Sequence, residues 1–171
     1  CISARLLVND FKPSRQQQRC NTRNKDLTVW LVSQIDEQEH YPLYKQYINT
    51  RHADGDMFPP NLTQFRDFIS NFREYTKIIE VRYEGELIAA GVVDILDDGL
   101  SAIYTYYSTD QKHRYRSLGT FAVLSQATLA KEMNLSYLYL GYWIKDSPKM
   151  AYKSNYKPLE ILKDRQWTLL V

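Results

Sequence analysis

Apolar residues in the first half of the chain follow two different periods. The segment LTVWLVSQI is rich in apolar and β-branched residues, which predicts a strand. In the following HYPLYKQYINTRHA, apolar side chains recur at helical spacing, so we expect a helix from about Pro42 to Ala53. The Gly- and Pro-containing stretch DGDMFPPN ends that helix, and LTQFRDFISNF predicts another with Thr63 as its N-cap.

The pattern in the middle of the chain predicts three antiparallel strands. The stretch KIIEVRYEGELIAAGVVDILDDGLSAIYTYYS contains tight turns at Glu84-Gly85 and at Asp97-Asp98-Gly99. A helix follows within RYRSLGTFAVLSQATLAKEMN, then a strand SYLYLGYW, a short helix SPKMAYKSNY and a final strand RQWTLLV. The predicted order is therefore β-α-α-β-β-β-α-β-α-β.

This order of elements resembles that of the GNAT-type acyltransferase fold. We therefore expect the α+β class, with a mixed, mostly antiparallel sheet flanked by helices. In that fold, the turn before the central helix has the form Arg/Gln-x-x-Gly-x-Gly/Ala. The corresponding turn here, Arg116 to Phe121, matches the first two anchors and has Phe at the third.

The composition limits the class of protein. With 171 residues, 44% of them hydrophobic, the chain can bury one sizeable core. The formal net charge of +2 makes local basic patches more informative than the total. Cys1 and Cys20 provide neither a disulfide framework nor a four-ligand metal site, and no apolar run approaches the roughly 18 residues of a membrane span. We expect a cytoplasmic protein.

A basic, polar segment precedes the first predicted strand. In FKPSRQQQRCNTRNKD, residues 11–26, a helix would bring Arg15, Arg19 and Arg23 onto one face. We divide the chain into this N-terminal segment, residues 1–26, and a GNAT-like domain, residues 27–171. Charge alone favours a solvated surface helix, and the alternative is contact with the phosphate backbone of a nucleic acid.

The start of the helix after RYRSLGT is a candidate anion site. Free backbone N–H groups and the positive end of the helix dipole converge there. Gly119 would allow a ligand to approach the backbone closely. We take Arg116 and the backbone of Ser117, Leu118, Gly119 and Thr120 as contacts of a negatively charged donor. An ordinary helix N-terminus with exposed arginines would show the same pattern.

Six blocks of sequence, in order along the chain, resemble the bacterial aspartate/glutamate leucyltransferases, relatives of the arginyl-tRNA–protein transferases. The blocks are DFKPSRQQQR, RHADGDM, DDGLSAIYTYYS, RSLGT, YLYLGYWI and KMAYKSNYKPLE. The resemblance implies that leucine, or alternatively arginine, is transferred from an aminoacyl-tRNA to the N-terminal amine of proteins that begin with Asp or Glu. That transfer marks such proteins for N-degron degradation, and it requires no acetyl-CoA.

Members of that family carry a further N-terminal region with a cysteine cluster, and Cys1 resembles the last cysteine of that cluster. We therefore expect this chain to be a fragment or a processed form. We expect no cofactor within it, and any metal or iron–sulfur centre would belong to the preceding region.

An aminoacyl ester is already activated, so the enzyme must align an amine, keep it neutral and protonate or shield the departing ribose oxygen. His52 could relay the proton of the amine, unless it is only a helix-end residue. Asp94 could orient or deprotonate the amine, or simply face water on a strand. Tyr106 and Tyr142 should lie where neighbouring strands part, and either could donate to the ester oxygen or stack on the terminal adenine.

The acidic side chain of the acceptor needs a positive partner, preferably an arginine that grips a carboxylate with two hydrogen bonds. Arg51 is the first candidate and Arg116 the second. Lys149, Tyr152 and Lys153 are spaced for one helical face and could hold phosphates of the tRNA end. For these residues the simpler interpretation is a helix-end charge and an ordinary helix surface.

Two other functions remain open at this point. A GNAT-type acetyltransferase would bind CoA at the same helix start, although Phe121 replaces the small third anchor. A non-catalytic module would bind tRNA or acidic N-termini without transferring anything.

Overall fold

The computed structural model describes residues 1–171 and contains one eight-stranded sheet. Its strands are β1 (Ile2–Leu7), β2 (Thr28–Val32), β3 (Thr76–Tyr83), β4 (Glu86–Ile95), β5 (Gly99–Tyr107), β6 (Tyr137–Trp143), β7 (Leu159–Lys163) and β8 (Gln166–Leu169). They lie in the order β2-β3-β4-β5-β6-β1-β7-β8, and β5–β6 is the parallel pair. The predicted α+β class with a mostly antiparallel sheet is confirmed.

Helices cover both faces of the sheet. They are α1 (Arg15–Arg23), α2 (Glu37–Arg51), α3 (Leu62–Ser70), α4 (Leu118–Glu132) and the single turn α5 (Pro148–Ala151). Short 3-10 turns occur at Val8–Asp10, Gln111–Arg116 and Tyr152–Asn155. Apolar residues of α4 and α1 pack on one face, and those of α2 and α3 pack on the other, so the sheet separates two hydrophobic cores. No helix is long and apolar enough to cross a membrane.

Two helix starts differ from the prediction because of capping side chains. The helix α2 begins at Glu37, since the carboxylate of Asp36 accepts a hydrogen bond of 3.0 Å from the Gln38 amide, and Pro42 lies inside the helix. Asn61, not Thr63, caps α3, because its side-chain oxygen accepts a hydrogen bond from the Thr63 amide at 2.7 Å.

The predicted division after residue 26 is wrong as a structural boundary. Strand β1 lies between β6 and β7, inside the sheet, and its Ala4 and Leu6 are 1% and 0% exposed. Helix α1 packs on α4 through the buried Cys20. The first 26 residues are therefore part of the same fold. At the other end, a hairpin of β7 and β8 replaces the single predicted strand, with Asp164 and Arg165 at positive φ in its turn.

Strands β5 and β6 pair over a short distance only. Gly99 to Ser101 pair with Tyr137 to Tyr139, and no pairing of β5 with β6 continues beyond that level. The remainder of β6 still pairs with β1, and the remainder of β5 with β4. A cleft therefore opens between the far ends of β5 and β6, next to the start of α4.

Candidate active site

The start of α4 forms one end of this cleft. Ser117 has φ +52° and makes no side-chain cap, so no capping side chain occupies the amides of the first turn. The backbone around Leu118 and Thr120 can therefore bind an anion, although the Leu118 side chain itself is buried in the core. Gly119 serves a different purpose from the predicted one, because a Cβ there would lie 3.2 Å from the ring of Tyr107. It makes room for that tyrosine.

Arg116 does not face a ligand, which corrects its predicted role. Its side chain is 3% exposed and grips both carboxylate oxygens of Asp26, at 2.7 and 2.8 Å. It also donates to Asn24 at 3.3 Å and to Nδ1 of His113 at 3.2 Å. These partners take four of the five N–H groups of a buried guanidinium, so Arg116 fixes the turn before Ser117 and does not face a ligand.

A cluster of side chains, which we call the tyrosine cleft, joins the end of α2 to the separated end of β5. It consists of Tyr47, Arg51, His52, Tyr107 and Tyr152. The rings of Tyr47 and Tyr107 are 4.9 Å apart, and the Arg51 guanidinium lies 5.9 Å from the Tyr107 ring centre. The Tyr47 hydroxyl is 2.9 Å from Nε2 of His52. Arg51 is exposed and has no ion-pair or hydrogen-bond partner in the chain, so it is free to bind an anion.

The electrostatics of the tyrosine cleft favour a neutral base and bound anions. Burial, with help from the charges of Lys149 and Arg51, lowers the pKa of His52, so its imidazole is neutral near pH 7. Burial also raises the pKa of Tyr47, which keeps that hydroxyl protonated. Asp54 is the carboxylate that faces this group, and it forms a 3.4 Å ion pair with Lys149.

The segment after β6 forms the opposite wall. Lys149 and Tyr152 are exposed at the surface. The pKa of the Tyr152 hydroxyl is raised, first by burial of the hydroxyl and second by the nearby Tyr107. Lys153, in contrast, is only 7% exposed, and its ammonium donates to the Tyr142 carbonyl oxygen at 2.5 Å. Lys153 is therefore not part of an ordinary helix surface.

The four predicted catalytic residues have different positions. His52 lies in the tyrosine cleft, and Tyr142 lies on β6 beyond its last pair with β5, with 56% of its surface exposed. Tyr106 is wrongly predicted, because it is 0% exposed. Asp94 is also outside the site, since it pairs with Ser101, at the level where β5 and β6 still touch, and accepts a 2.6 Å hydrogen bond from Thr76.

Tyr106 belongs to a buried polar network between α2 and the sheet. Its hydroxyl lies 2.8 Å from Nδ1 of His40, and Nε2 of His40 lies 2.5 Å from the Glu80 carboxylate. Glu80 in turn accepts from Arg82 at 3.0 Å. Burial raises the pKa of Tyr106, whose side chain is fully buried. The network stabilises the α2 side of the sheet.

Sequence reasoning missed Tyr47 and Tyr107, although a signal for each was present. Tyr47 precedes Arg51 by four residues, so both lie on one face of α2. Tyr107 follows Tyr106 in a strand and must point to the opposite side of the sheet. Strand alternation thus distinguishes the buried Tyr106 from the cleft-facing Tyr107.

The predicted basic face of α1 is present. Arg15, Arg19 and Arg23 are exposed on one side of the helix, while Gln17 and Cys20 are buried on the other. Arg23 donates a 3.4 Å hydrogen bond to the Ser117 hydroxyl. Gln17 donates to the Asn155 carbonyl oxygen at 3.2 Å, close to Lys153 in the chain. The row of arginines therefore leads along one edge of the site to the start of α4.

Two further cavities lie outside the tyrosine cleft. One, of about 330 Å³, lies between α2 and the β3–β4 turn, and its charged lining is Glu39, Arg82, Glu86 and Asp110. Its excess of carboxylates disfavours an anionic ligand. The other, of about 470 Å³, lies beside the edge strand β2 and includes Trp30, Leu31, Phe121 and Leu129. Neither shares a residue with the tyrosine cleft.

No group of three or more His, Cys, Asp or Glu side chains is arranged to hold a metal ion. Cys1 is exposed and Cys20 is buried, and both are free thiols. Burial raises the pKa of the Cys20 thiol.

Comparison with known sequences gives a consistent result over the whole chain. Residues 39–163 match the family described as arginine-tRNA-protein transferase, C terminus. An aspartate/glutamate leucyltransferase of Saccharophagus degradans is 48% identical over 172 residues, covering 100% of this chain and 72% of the relative. A protein of the same name from Chromohalobacter salexigens is 44% identical, covering 98% of this chain and 68% of the relative.

Solved structures share the fold at low identity. A GCN5-related glucosamine N-acetyltransferase region of a fungal multi-domain β-N-acetylglucosaminidase superposes with a TM-score of 0.58 at 13% identity, covering 91% of this chain and 19% of that one. The ribosomal-protein-S18-alanine N-acetyltransferase of Escherichia coli superposes with a TM-score of 0.50 at 16% identity, covering 74% and 76%. The GNAT-type fold is confirmed.

The Arg116–Asp26 ion pair should show itself in the pH dependence of stability. The hydrogen bonds from Arg116 lower the pKa of Asp26, so this contribution is present at neutral pH and is lost as the pH falls through that lowered value. Asp26→Asn should reduce the free energy of unfolding by about 1–2 kcal/mol at pH 7, because Asp26 is half exposed and the pair is partly screened.

Unfolding in urea between pH 7 and pH 2 measures this effect, with Asp10→Asn at an exposed position as the control. The difference between wild type and Asp26→Asn should shrink below about pH 4, the ordinary range of an Asp carboxyl. An equal difference at every pH would show that the charge of Asp26 is not what stabilises the turn.

Proposed function

This chain belongs to the aspartate/glutamate leucyltransferases of the arginine-tRNA–protein transferase family, and we propose that it transfers leucine from charged tRNA to the N-terminal amine of proteins that begin with Asp or Glu. The tyrosine cleft is the observation that supports this proposal at the level of individual residues. It combines a free arginine, a neutral histidine and closely packed tyrosines beside the uncapped start of α4. The reaction belongs to the N-degron pathway and to the cytoplasm, where tRNA is charged.

The donor would lie along the start of α4 and the arginine row of α1. The 3′ end of a tRNA is a string of phosphates that ends in an adenosine carrying the aminoacyl ester. The α4 amides and the positive helix dipole suit the last phosphates, and Arg15, Arg19 and Arg23 suit those before them. Tyr107, Tyr142 and Tyr152 offer rings on which the adenine can stack.

The chemistry needs no covalent enzyme intermediate and no cofactor held by these residues. The neutral amine of the acceptor attacks the ester carbonyl, a C–N bond forms, and the ribose oxygen leaves. His52 is neutral near pH 7 and can accept the proton that the amine loses. The Tyr47 hydroxyl, 2.9 Å from Nε2 of His52, orients that imidazole.

Arg51 would hold the acidic side chain of the acceptor. It is the unpaired guanidinium beside Tyr107, and a guanidinium is the side chain best suited to a two-point contact with a carboxylate. Arg116 was the second candidate from the sequence. It is already bound to Asp26 and is therefore excluded as the partner of the acceptor's acidic side chain.

A transfer assay tests the proposed reaction directly. The protein is incubated with peptides that begin with Asp, Glu, Asn or Gln, together with a panel of charged tRNAs, and the products are weighed by mass spectrometry. We expect addition of leucine to the Asp and Glu peptides from leucyl-tRNA. Acetylation by acetyl-CoA in a parallel reaction, or tight binding of CoA without competition by aminoacyl-tRNA, would establish the acetyltransferase alternative instead. Binding of charged tRNA without any product would indicate a non-catalytic module.

Arg51→Ala should remove the preference for acidic acceptors. The loss of a charge-assisted contact corresponds to a drop of about 10- to 100-fold in kcat/KM for Asp peptides relative to Asn peptides. Lys45→Ala is the matched control, because Lys45 is an exposed cation on the same helix without a partner. If the ratio of kcat/KM for Asp peptides to that for Asn peptides were unchanged in Arg51→Ala, Arg51 would be only a helix-end charge.

Replacement of Arg15, Arg19 and Arg23 by Ala should weaken tRNA binding and reduce its salt dependence. Three phosphate contacts contribute about 2–3 to the slope of log Kd against log salt concentration. The control removes the same charge elsewhere, through Lys45, Arg73 and Arg165, which are all exposed. If both triple variants behaved alike, the effect would come from net charge and not from α1.

A further inference from the structure

Lys153 is a buried cation without an acidic partner. Its side chain lies in the short turn after α5, it is 7% exposed, and its one hydrogen bond goes to the Tyr142 carbonyl oxygen. The other well-buried cations of the chain are paired. Arg5 lies 2.6 Å from Glu160, and Arg116 lies 2.7 Å from Asp26. Two of the three ammonium protons of Lys153 have no acceptor in the chain.

Such an arrangement costs stability, because burial of a charge is unfavourable unless a counter-charge compensates it. The same burial lowers the pKa of Lys153, and no neighbouring carboxylate raises it again. A lysine with a lowered pKa gives up its proton more readily than an exposed one. The chain itself therefore supplies no counter-charge for this ammonium.

The backbone of β6 leaves space beside the Lys153 ammonium. Gly141 has φ +77° at an irregularity in the β1–β6 pairing, and a Cβ there would lie 3.7 Å from Nζ of Lys153. Gly141 is exposed, so a side chain at this position would cover the amine that the glycine leaves open. Both Gly141 and Tyr142 lie beyond the point where β6 parts from β5.

We propose that Lys153 is the proton donor to the ribose oxygen that leaves the aminoacyl ester. The inference rests on the proposed aminoacyl transfer, and it identifies the source of the proton that the leaving ribose oxygen receives. As the C–N bond forms, the ester C–O bond breaks and its electron pair goes to the ribose oxygen. That oxygen takes a proton from Nζ of Lys153 and leaves as a hydroxyl. The proton lost by the attacking amine goes to His52, and the neutral Lys153 amine is reprotonated from solvent.

This role differs from that of a phosphate contact, which the position of Lys153 beside Lys149 first suggested. A phosphate contact acts on tRNA affinity and is indifferent to the leaving group. A proton donor acts on the chemical step, and it matters only when the leaving group needs a proton. A change of leaving group therefore separates the two roles.

The experiment compares Lys153→Met with wild type on two donors in single-turnover reactions. One donor is leucyl-tRNA, and the other carries sulfur in place of the ester oxygen of the terminal ribose, so that a thiolate leaves without protonation. We expect the rate with the oxygen ester to fall about 10²- to 10⁴-fold, as for loss of a general acid, and the rate with the thioester to fall less than tenfold. The affinity for uncharged tRNA should stay within about twofold.

The pH profile gives an independent readout. The Lys153 ammonium must be protonated, whereas the acceptor amine and His52 must be neutral. The wild-type rate with the oxygen ester should therefore rise as the amine and His52 lose their protons and fall again as the pH rises through the lowered pKa of Lys153. Lys153→Met should lack that fall. Lys163→Met, at an exposed lysine on β7 without a partner, is the control and should match wild type.

Thermal unfolding shows whether the variant folds. Because Lys153→Met removes a desolvated charge, its melting temperature should not drop below that of wild type. Equal losses with both donors, or weaker tRNA binding at an unchanged chemical rate, would overturn the assignment. A wild-type protein that transfers nothing to Asp peptides would instead refute the proposed function. If Lys153→Met does not fold, the pH profiles of the wild type with the two donors test the proposal. The rate with the oxygen ester should fall at high pH, and the rate with the thioester should not.

Discussion

Strands β5 and β6 hydrogen bond through three residue pairs and then separate, and the site exists because of that separation. Each strand continues to pair on its other side, so neither loses its place in the sheet. The gap between them would expose core residues if nothing covered it. The start of α4 and the segment after β6 close its sides, and tyrosines from α2, β5 and that segment line it. A ligand placed there meets backbone amides, aromatic rings and cations together.

Four cations of this protein, at and away from the cleft, differ in whether a carboxylate of the chain pairs with them. Arg5 is held between the Tyr137 and Trp167 rings and by Glu160, and Arg116 is held by Asp26. Each is satisfied within the chain and stabilises it. Lys153, which is buried, and Arg51, which is exposed, have no carboxylate partner. Both belong to the segments that line the cleft, where an anionic substrate would supply the missing charge.

The fold could be predicted from the sequence to a large extent, and the misses have local causes. The Gly-containing turns and alternating apolar residues predicted β3, β4 and β5, and helical spacing predicted α4, because these patterns arise from neighbours in the chain. Strand β1 was missed because its six residues gain their place from β6 and β7, which are far along the chain. The predicted boundary after residue 26 failed for the same reason.

The sequence by itself determined which chemistry was available: a basic face on α1, an arginine and a histidine at the end of α2, a helix start with a glycine, and tyrosines along β5. Six blocks of sequence also carried the resemblance to the family. Only the tertiary structure decided which of these groups meet. The sequence predicts Arg116 as a ligand contact, but in the fold it binds Asp26, which lies 90 positions away in the chain. Tyr106 is closed off by His40, and Lys153 is buried against β6. Burial and pairing depend on contacts between distant residues, and no local pattern encodes them.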